Sequence, residues 1–330
     1  MRPKLSLRTT RLAYAAAGVS VLAIPATAAA LSAGPAKGTQ ASGADALQID
    51  PRPNNVAFGH NVEVSGTAPS ADAGHTLALQ FAPVGSSSWR TLATTTAGAN
   101  PGFQLTASLR RSGWLRVLDA TGTASANAAG QSADPLARAD GPIATSRSRY
   151  VAVAAELSVP TASLNVLSRQ AIDVRGQLLP AAAGRQVRLG ERIGGGWRMI
   201  ATARTGPRGR FDLHYVTGAL GQVQVRVHFP GDSQNAPTST PAGQLTVYRE
   251  SVASWYDDAG STACGFHAYY GVANKVLPCG TKVTFRYNGR TVTATVQDRG
   301  PYIPGREWDL NQNLASALGF SGVDTVWSSI

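Results

Sequence analysis

The stretch "VEVSGTAPSADAGHTLALQF" (62–81) can be laid over "IDVRGQLLPAAAGRQVRLGE" (172–191), and the match continues downstream. Gly66 falls on Gly176, Trp89 on Trp197 and Phe103 on Phe211, at an offset of 108 to 110 residues. In both copies apolar residues alternate with polar ones between Gly, Pro and Ser clusters, the pattern of half-buried strands joined by turns. A repeat of this length suits a β-sandwich of immunoglobulin-like type. The chain is therefore expected to be all-β over most of its length, with one such sandwich at 46–155 and a second at 156–249. In the first, "WLRVL" (114–118) and "RYVAVAA" (149–155) supply the last strands. The Ala/Gly/Ser/Asp stretch between them, about 119–145, is expected to be a long flexible loop. The second ends with "GQLTVYR" (243–249). Neither repeat shows a clustered set of titratable residues. His60, His75, His214 and His228 fall singly along strands and turns, as surface or satisfied histidines do. Spacer or adhesion modules are the expected role.

Residues 1–33 read as a secretory signal. Arg2, Lys4, Arg8 and Arg11 carry no acid among them, a short apolar run follows, and Ala26-Thr27-Ala28 offers small residues for cleavage. The run is too short to span a bilayer stably, and no later segment is apolar enough to do so. No cysteine lies near the cleavage region, so no lipid anchor is expected there. The mature protein is expected to be secreted or cell-wall-associated. Its formal charge is +11, or +7 without the four signal cations. Such a field favours anionic polymers, and export makes a wall glycan rather than nucleic acid the expected partner. The sequence carries no signal for an oligomeric state.

Residues 250–330 are different in kind. They hold 11 of the chain's 23 aromatic residues, which can build a core or offer flat faces to sugar rings. Both cysteines, Cys264 and Cys279, lie here, and in an exported chain with no other thiol they are expected to form a disulfide. A zinc site would need two more ligands, and His267 is the only histidine nearby. No metal and no cofactor are expected. "TKVTFRY" (281–287) and "TVTATVQD" (291–298) read as strands joined by an Asn288-Gly289 hairpin turn. Asp298 then ends a strand, at the turn "RGP". In "WDLNQNLASALGF" (308–320), Leu310, Leu314 and Leu318 have helical spacing and Gly319 can end the helix. That places Asp309 at the helix N-terminal edge, where it would serve as a cap. On spacing alone Asp298 is equally a turn residue.

Six short motifs change that reading: "ASWY" (253–256), "TACG" (262–265), "VANKVLPCGTKV" (272–283), "QDRGPY" (297–302), "GREWDL" (305–310) and "LASALGF" (314–320). Their order and spacing resemble the rare lipoprotein A (RlpA)-like family, in its actinobacterial, expansin-like branch, over residues 252–327. The resemblance implies a six-stranded double-psi β-barrel, to which the periodicity adds a short helix. It implies that Asp298 is the acid that protonates the glycosidic oxygen between N-acetylmuramic acid and N-acetylglucosamine, after which the sugar's own 6-hydroxyl attacks C1. One carboxyl cycling as acid and then base can serve such a reaction. Asp309 matches the aspartate of the family's "DL" motif, tied in expansin-like barrels to wall loosening. Tyr256, Arg299, Tyr302 and Trp308 are the candidate substrate-binding residues. Phe266 and Asn274 stand where the family commonly has a glutamate and a histidine, and His267 is the candidate stand-in. The expected function is lytic transglycosylase-type cleavage of peptidoglycan; the alternative is a non-catalytic, expansin-like wall-binding or wall-loosening protein.

Overall fold

The computed structural model describes residues 46–121, 144–257 and 259–330. The signal segment and most of the 119–145 stretch lie outside the described residues. Strands β1 (Gln48–Arg52), β2 (Asn55–Ala57), β3 (Asn61–Thr67), β4 (Thr76–Pro83), β5 (Arg90–Thr96), β6 (Gly102–Ser108), β7 (Gly113–Asp119) and β8 (Arg149–Ala154) form the first unit. They make a three-stranded sheet, β1-β3-β6, and a five-stranded one, β2-β8-β7-β4-β5. Their alternation places Val62, Val64 and Leu105 from one sheet and Leu77, Leu79, Leu115 and Val117 from the other in a single apolar core.

The second unit repeats the plan with β9 (Glu156–Ser158), β10 (Ala162–Leu167), β11 (Ala171–Leu179), β12 (Gln186–Ile193), β13 (Gly196–Arg204), β14 (Arg210–Val216), β15 (Gly221–Phe229) and the first half of β16 (Thr238–Tyr256). Sheet β14-β11-β9 faces β13-β12-β15-β16, with β10 added parallel to β16, around a second core. The aligned residues do the same work in both copies. Gly66 pairs with Phe103 across β3 and β6, and Gly176 with Phe211 across β11 and β14. Each phenylalanine ring lies over its glycine, and a Cβ there would stand 2.3 Å from the Phe103 ring or 2.5 Å from that of Phe211. Arg116 stacks on Trp89 in the first unit and Arg226 on Trp197 in the second, at 4.0 and 4.1 Å. The units also touch: Ser112 N–H donates to Gln234 O, and the Asn235 amide donates to Arg110 O.

β16 does not stop at the expected boundary after Arg249. Its second half enters the C-terminal unit, pairing parallel with β20 (Trp308–Asn311) and antiparallel with β21 (Asp324–Ser329). With β17 (Gly271–Ala273), β18 (Lys282–Tyr287) and β19 (Arg290–Asp298), the pairing runs β16-β20-β17-β19-β18-β21 and returns to β16. The ring encloses Ala253, Val272, Phe285, Val296, Trp308 and Leu310, and Phe285 meets Trp308 edge to face at 5.1 Å. Asn288 and Gly289 both have positive φ, as a two-residue hairpin of that type requires. Cys264 and Cys279 are bonded, tying the loop after β16 to the turn before β18.

One element departs from the periodicity. Helix α1 spans Gln312–Leu318, with the Asn311 side chain accepting from Leu314 N–H and Gly319 in the left-handed region at its end. Asp309 is no cap. Residues 308–311 pair with β16, and Asp309 and Leu310 pair on their other edge with β17, and ladder pairing on two edges outweighs a helical pattern ahead of the helix.

The glycine–phenylalanine packing predicts that Gly66→Ala and Gly176→Ala each destabilise the chain by about 1–3 kcal/mol, the usual cost of overpacking. Denaturant unfolding checks this; an unchanged midpoint for either variant would show that both the ring and the neighbouring backbone carbonyl, Gln48 O at 2.2 Å or Ser158 O at 2.5 Å from the added carbon, have room to move.

Candidate functional site

The two aspartates reach one surface through a ladder of neighbouring strands. Asp298 is the last residue of β19 and pairs with Ala273 of β17. Ala273 pairs on its other side with Asp309 of β20, and Asp309 pairs with Ser254 of β16. Two strand-to-strand steps of about 4.8 Å each put the two aspartate backbones roughly 10 Å apart. Eleven positions of sequence are thus folded into one rung.

Their surroundings differ. Asp298 Oδ1 accepts from two backbone amides, Ala263 N–H and Arg299 N–H, each at 2.8 Å. That oxygen is committed as an acceptor, and it also anchors the loop after β16. The same loop is held by Cys264 N–H to Gln297 O and by Ala268 N–H to the Gln297 side chain. Asp309 is half-buried and accepts from the Ser254 hydroxyl at 2.8 Å. Burial holds its carboxyl above the ordinary carboxylate range, and the charge of Asp298 adds to this, while the Ser254 hydrogen bond and Arg306 oppose it. The pair therefore combines a carboxyl fixed by backbone amides with a half-buried neighbour held by a hydroxyl.

The structure sorts the candidate substrate-binding residues. Tyr302 is 79% exposed and lies on the turn between the two aspartates, free to offer its ring. Trp308 is fully buried: its ring packs on Phe285 and its indole N–H donates to Ser251 Oγ, so it is core and no sugar platform. The residue beside a site in sequence faces inward here because strand side chains alternate. The Tyr256 hydroxyl accepts from the buried Gln297 amide at 2.9 Å. Arg299 donates to Asn274 O and to Cys279 Sγ, bracing the disulfide-linked turn. His267 is exposed on the loop after β16, one residue before the Ala268 contact with Gln297. Asn274 is buried, with Oδ1 accepting from Val276 and Leu277 N–H, so it shapes the turn after β17.

Three groups went unread in the sequence. Ser254 sits in "ASWY", whose aromatic residues draw the eye, and only strand pairing shows its hydroxyl on Asp309. Arg306 acts on Asp309 through its charge. Tyr269, 73% exposed, joins Tyr302, Trp255 and Phe266 among the exposed aromatics of this unit.

Residues 249–326 match a family model described as lytic transglycolase. A curated relative from Synechocystis, "Probable endolytic peptidoglycan transglycosylase RlpA", is 34% identical over 32% of this chain and 37% of its own length. One of the same description from Aquifex aeolicus is 41% identical over 22% of this chain and 35% of its own. The chain thus spans about a third of the length of these relatives. A chain from the solved structure "Structural basis of T cell specificity and activation by the bacterial superantigen toxic shock syndrome toxin-1" aligns at a TM-score of 0.24 and 14% identity, over 28% of this chain and 98% of that one, and bears no argument. The C-terminal unit is an RlpA-like double-psi β-barrel domain.

The burial of Asp309 has a consequence for stability. Its carboxyl ionises less readily in the folded chain than at its ordinary value of 3.8, so folding loses stability as pH rises from there through the folded-state value. Asp309→Asn keeps the acceptor for Ser254 and removes the charge. Its melting temperature is expected to exceed the parent's at pH 7 and to match it near pH 3. A variant no more stable than the parent at pH 7 would show that burying this charge costs the fold nothing.

Proposed function

We propose that this chain is an exported, cell-wall-associated protein whose C-terminal barrel cleaves peptidoglycan glycan strands by lytic transglycosylase chemistry. The observation that carries this reading is the pair of unlike aspartates on one rung of an RlpA-like barrel. Asp309, half-buried and with its carboxyl held above the ordinary carboxylate range, is the proton donor to the glycosidic oxygen. As the C1–O bond breaks, the 6-hydroxyl of the same sugar forms the new bond to C1, and its proton passes to the carboxylate of Asp298. This division differs from a single carboxyl at Asp298 serving as both acid and base. It follows from the environments: one carboxyl is occupied by amide donors, the other is desolvated. Ser254 positions Asp309, and Tyr302 packs on a sugar ring. The two upstream units, immunoglobulin-like in this reading, carry the excess positive charge and hold the barrel near an anionic wall.

A second reading rests on a specific observation. Asn274 is buried, its oxygen shaping the turn after β17 and its amide donating to Glu307 O, and Phe266 is an exposed aromatic, at two positions where the family resemblance implies groups that assist catalysis. A groove with aspartates and aromatics but fewer titratable partners suits an expansin-like protein that binds and loosens glycans without cutting them.

Incubation with purified sacculi distinguishes the two. Cleavage releases 1,6-anhydromuropeptides; binding without new ends supports the second reading. Asp309→Asn is expected to lower turnover on the order of 100-fold or more with little change in glycan affinity, since general acid catalysis supplies about 10² to 10⁴. Asp298→Asn is expected to lower it as well. Turnover surviving in Asp309→Asn but lost in Asp298→Asn would return the proton to Asp298.

A further inference from the structure

A second cluster of unlike groups lies far from the barrel, at a corner of the first unit. Asp72 ends a single 3-10 turn, His75 precedes β4, and Asp119 ends β7. One ligand atom from each, an imidazole nitrogen and two carboxylate oxygens, lie within 4.8 Å of one another. His75 Nδ1 and Asp119 Oδ2 are 2.7 Å apart. Asp72 Oδ2, however, is closed to solvent and has no hydrogen-bond partner among the described residues. A buried carboxylate oxygen without a donor is costly unless a proton or a cation faces it. Burial, and then the charge of Asp119, hold Asp72 above the ordinary carboxylate range, against the opposing effect of His75.

The internal repeat supplies an independent observation. In the aligned copies Gly74 falls on Gly184, both with positive φ, and each donates its N–H to the residue just past the end of a strand, Ala97 O after β5 and Thr205 O after β13. His75 then falls on Arg185 and Asp72 on Ala182. Arg185 is 6% exposed, and its guanidinium donates to both oxygens of Asp232, to Asn235 Oδ1 and to Pro180 O. The second unit thus closes this corner with a desolvated permanent cation and one carboxylate. The first unit has replaced the arginine by an imidazole and added a carboxylate. Its corner carries more negative charge and lacks the fixed positive one.

We propose that Asp72, His75 and Asp119 form a structural divalent-cation site of the zinc class, in which the bound cation takes the place that Arg185 fills in the second unit. One imidazole nitrogen and one oxygen from each aspartate are the ligands, and water completes the coordination. A mixed nitrogen and oxygen set favours zinc-like ions over Ca²⁺ or Mg²⁺, which prefer oxygen alone. Ligand bonds of about 2.0–2.2 Å require the Asp72 turn to close on the other two, a small motion for a short surface turn. The ion would pin the turn before β4 to the end of β7, and it does not rest on the glycan-cleavage reading of the barrel.

The test is calorimetric titration of the full chain, without a histidine tag and after EDTA treatment, with ZnCl₂ at pH 7. One saturating site and a raised melting temperature are expected. Asp72→Asn and His75→Gln are each expected to weaken Zn²⁺ binding by at least about tenfold while leaving the metal-free melting temperature near the parent's. Co²⁺ titration of the unaltered chain locates the ion without any variant, through paramagnetic broadening of the His75 ring protons. No Zn²⁺-dependent heat or melting shift, unchanged affinity in both variants, or broadening confined to other histidines would each overturn the proposal.

Discussion

The strand from Thr238 to Tyr256 is the constraint on which the rest depends. Its first half completes a sheet of the second unit against β15 and β10, and its second half closes the barrel against β20 and β21. A strand cannot bend freely between two ladders without leaving amides unpaired, and unpaired buried amides are costly. The junction is reinforced from both sides. Ser329 Oγ donates to Val247 O and accepts from Gly221 N–H, and the Gln222 amide donates to Thr284 Oγ1. Tyr248, fully buried, meets Trp327 with ring centroids 5.8 Å apart. The barrel is thus built onto the second unit along shared backbone.

The same strand sets the candidate site. Ser254 lies two residues from its end, and its partner across the parallel ladder is Asp309. From there two further steps, through β17 to β19, reach Asp298. Regular spacing holds the two carboxyl groups close enough to feel each other's charge, while different donors, two backbone amides on Asp298 and a hydroxyl on Asp309, set their surroundings apart. The loop carrying His267 and Phe266 is secured by the disulfide, by Asp298 itself and by Gln297, so one carboxylate of the pair is also a structural anchor.

The duplicated units show how a repeat diverges once its packing is met. The glycine under a phenylalanine ring and the arginine on a tryptophan persist in both copies, because each satisfies a contact inside a sheet pair. The corner occupied by His75 and Arg185 tolerates change, because its requirement is only that buried charge be balanced.

The sequence by itself determined the strand-rich character of the chain, the two-copy repeat, the Asn288-Gly289 hairpin and the cysteine pairing, since each rests on short-range pattern or on there being one possible partner. Only the tertiary structure decided that Trp308 faces the core, that Asn311 rather than Asp309 caps α1, that Ser254 touches Asp309, and that Asp72 and His75 come beside Asp119 from the far end of the first unit's sequence. Each of those depends on which strand lies beside which. Strand neighbours are chosen by the closing of the barrel and the sheets, a long-range balance of ladder pairing and burial that no local spacing encodes.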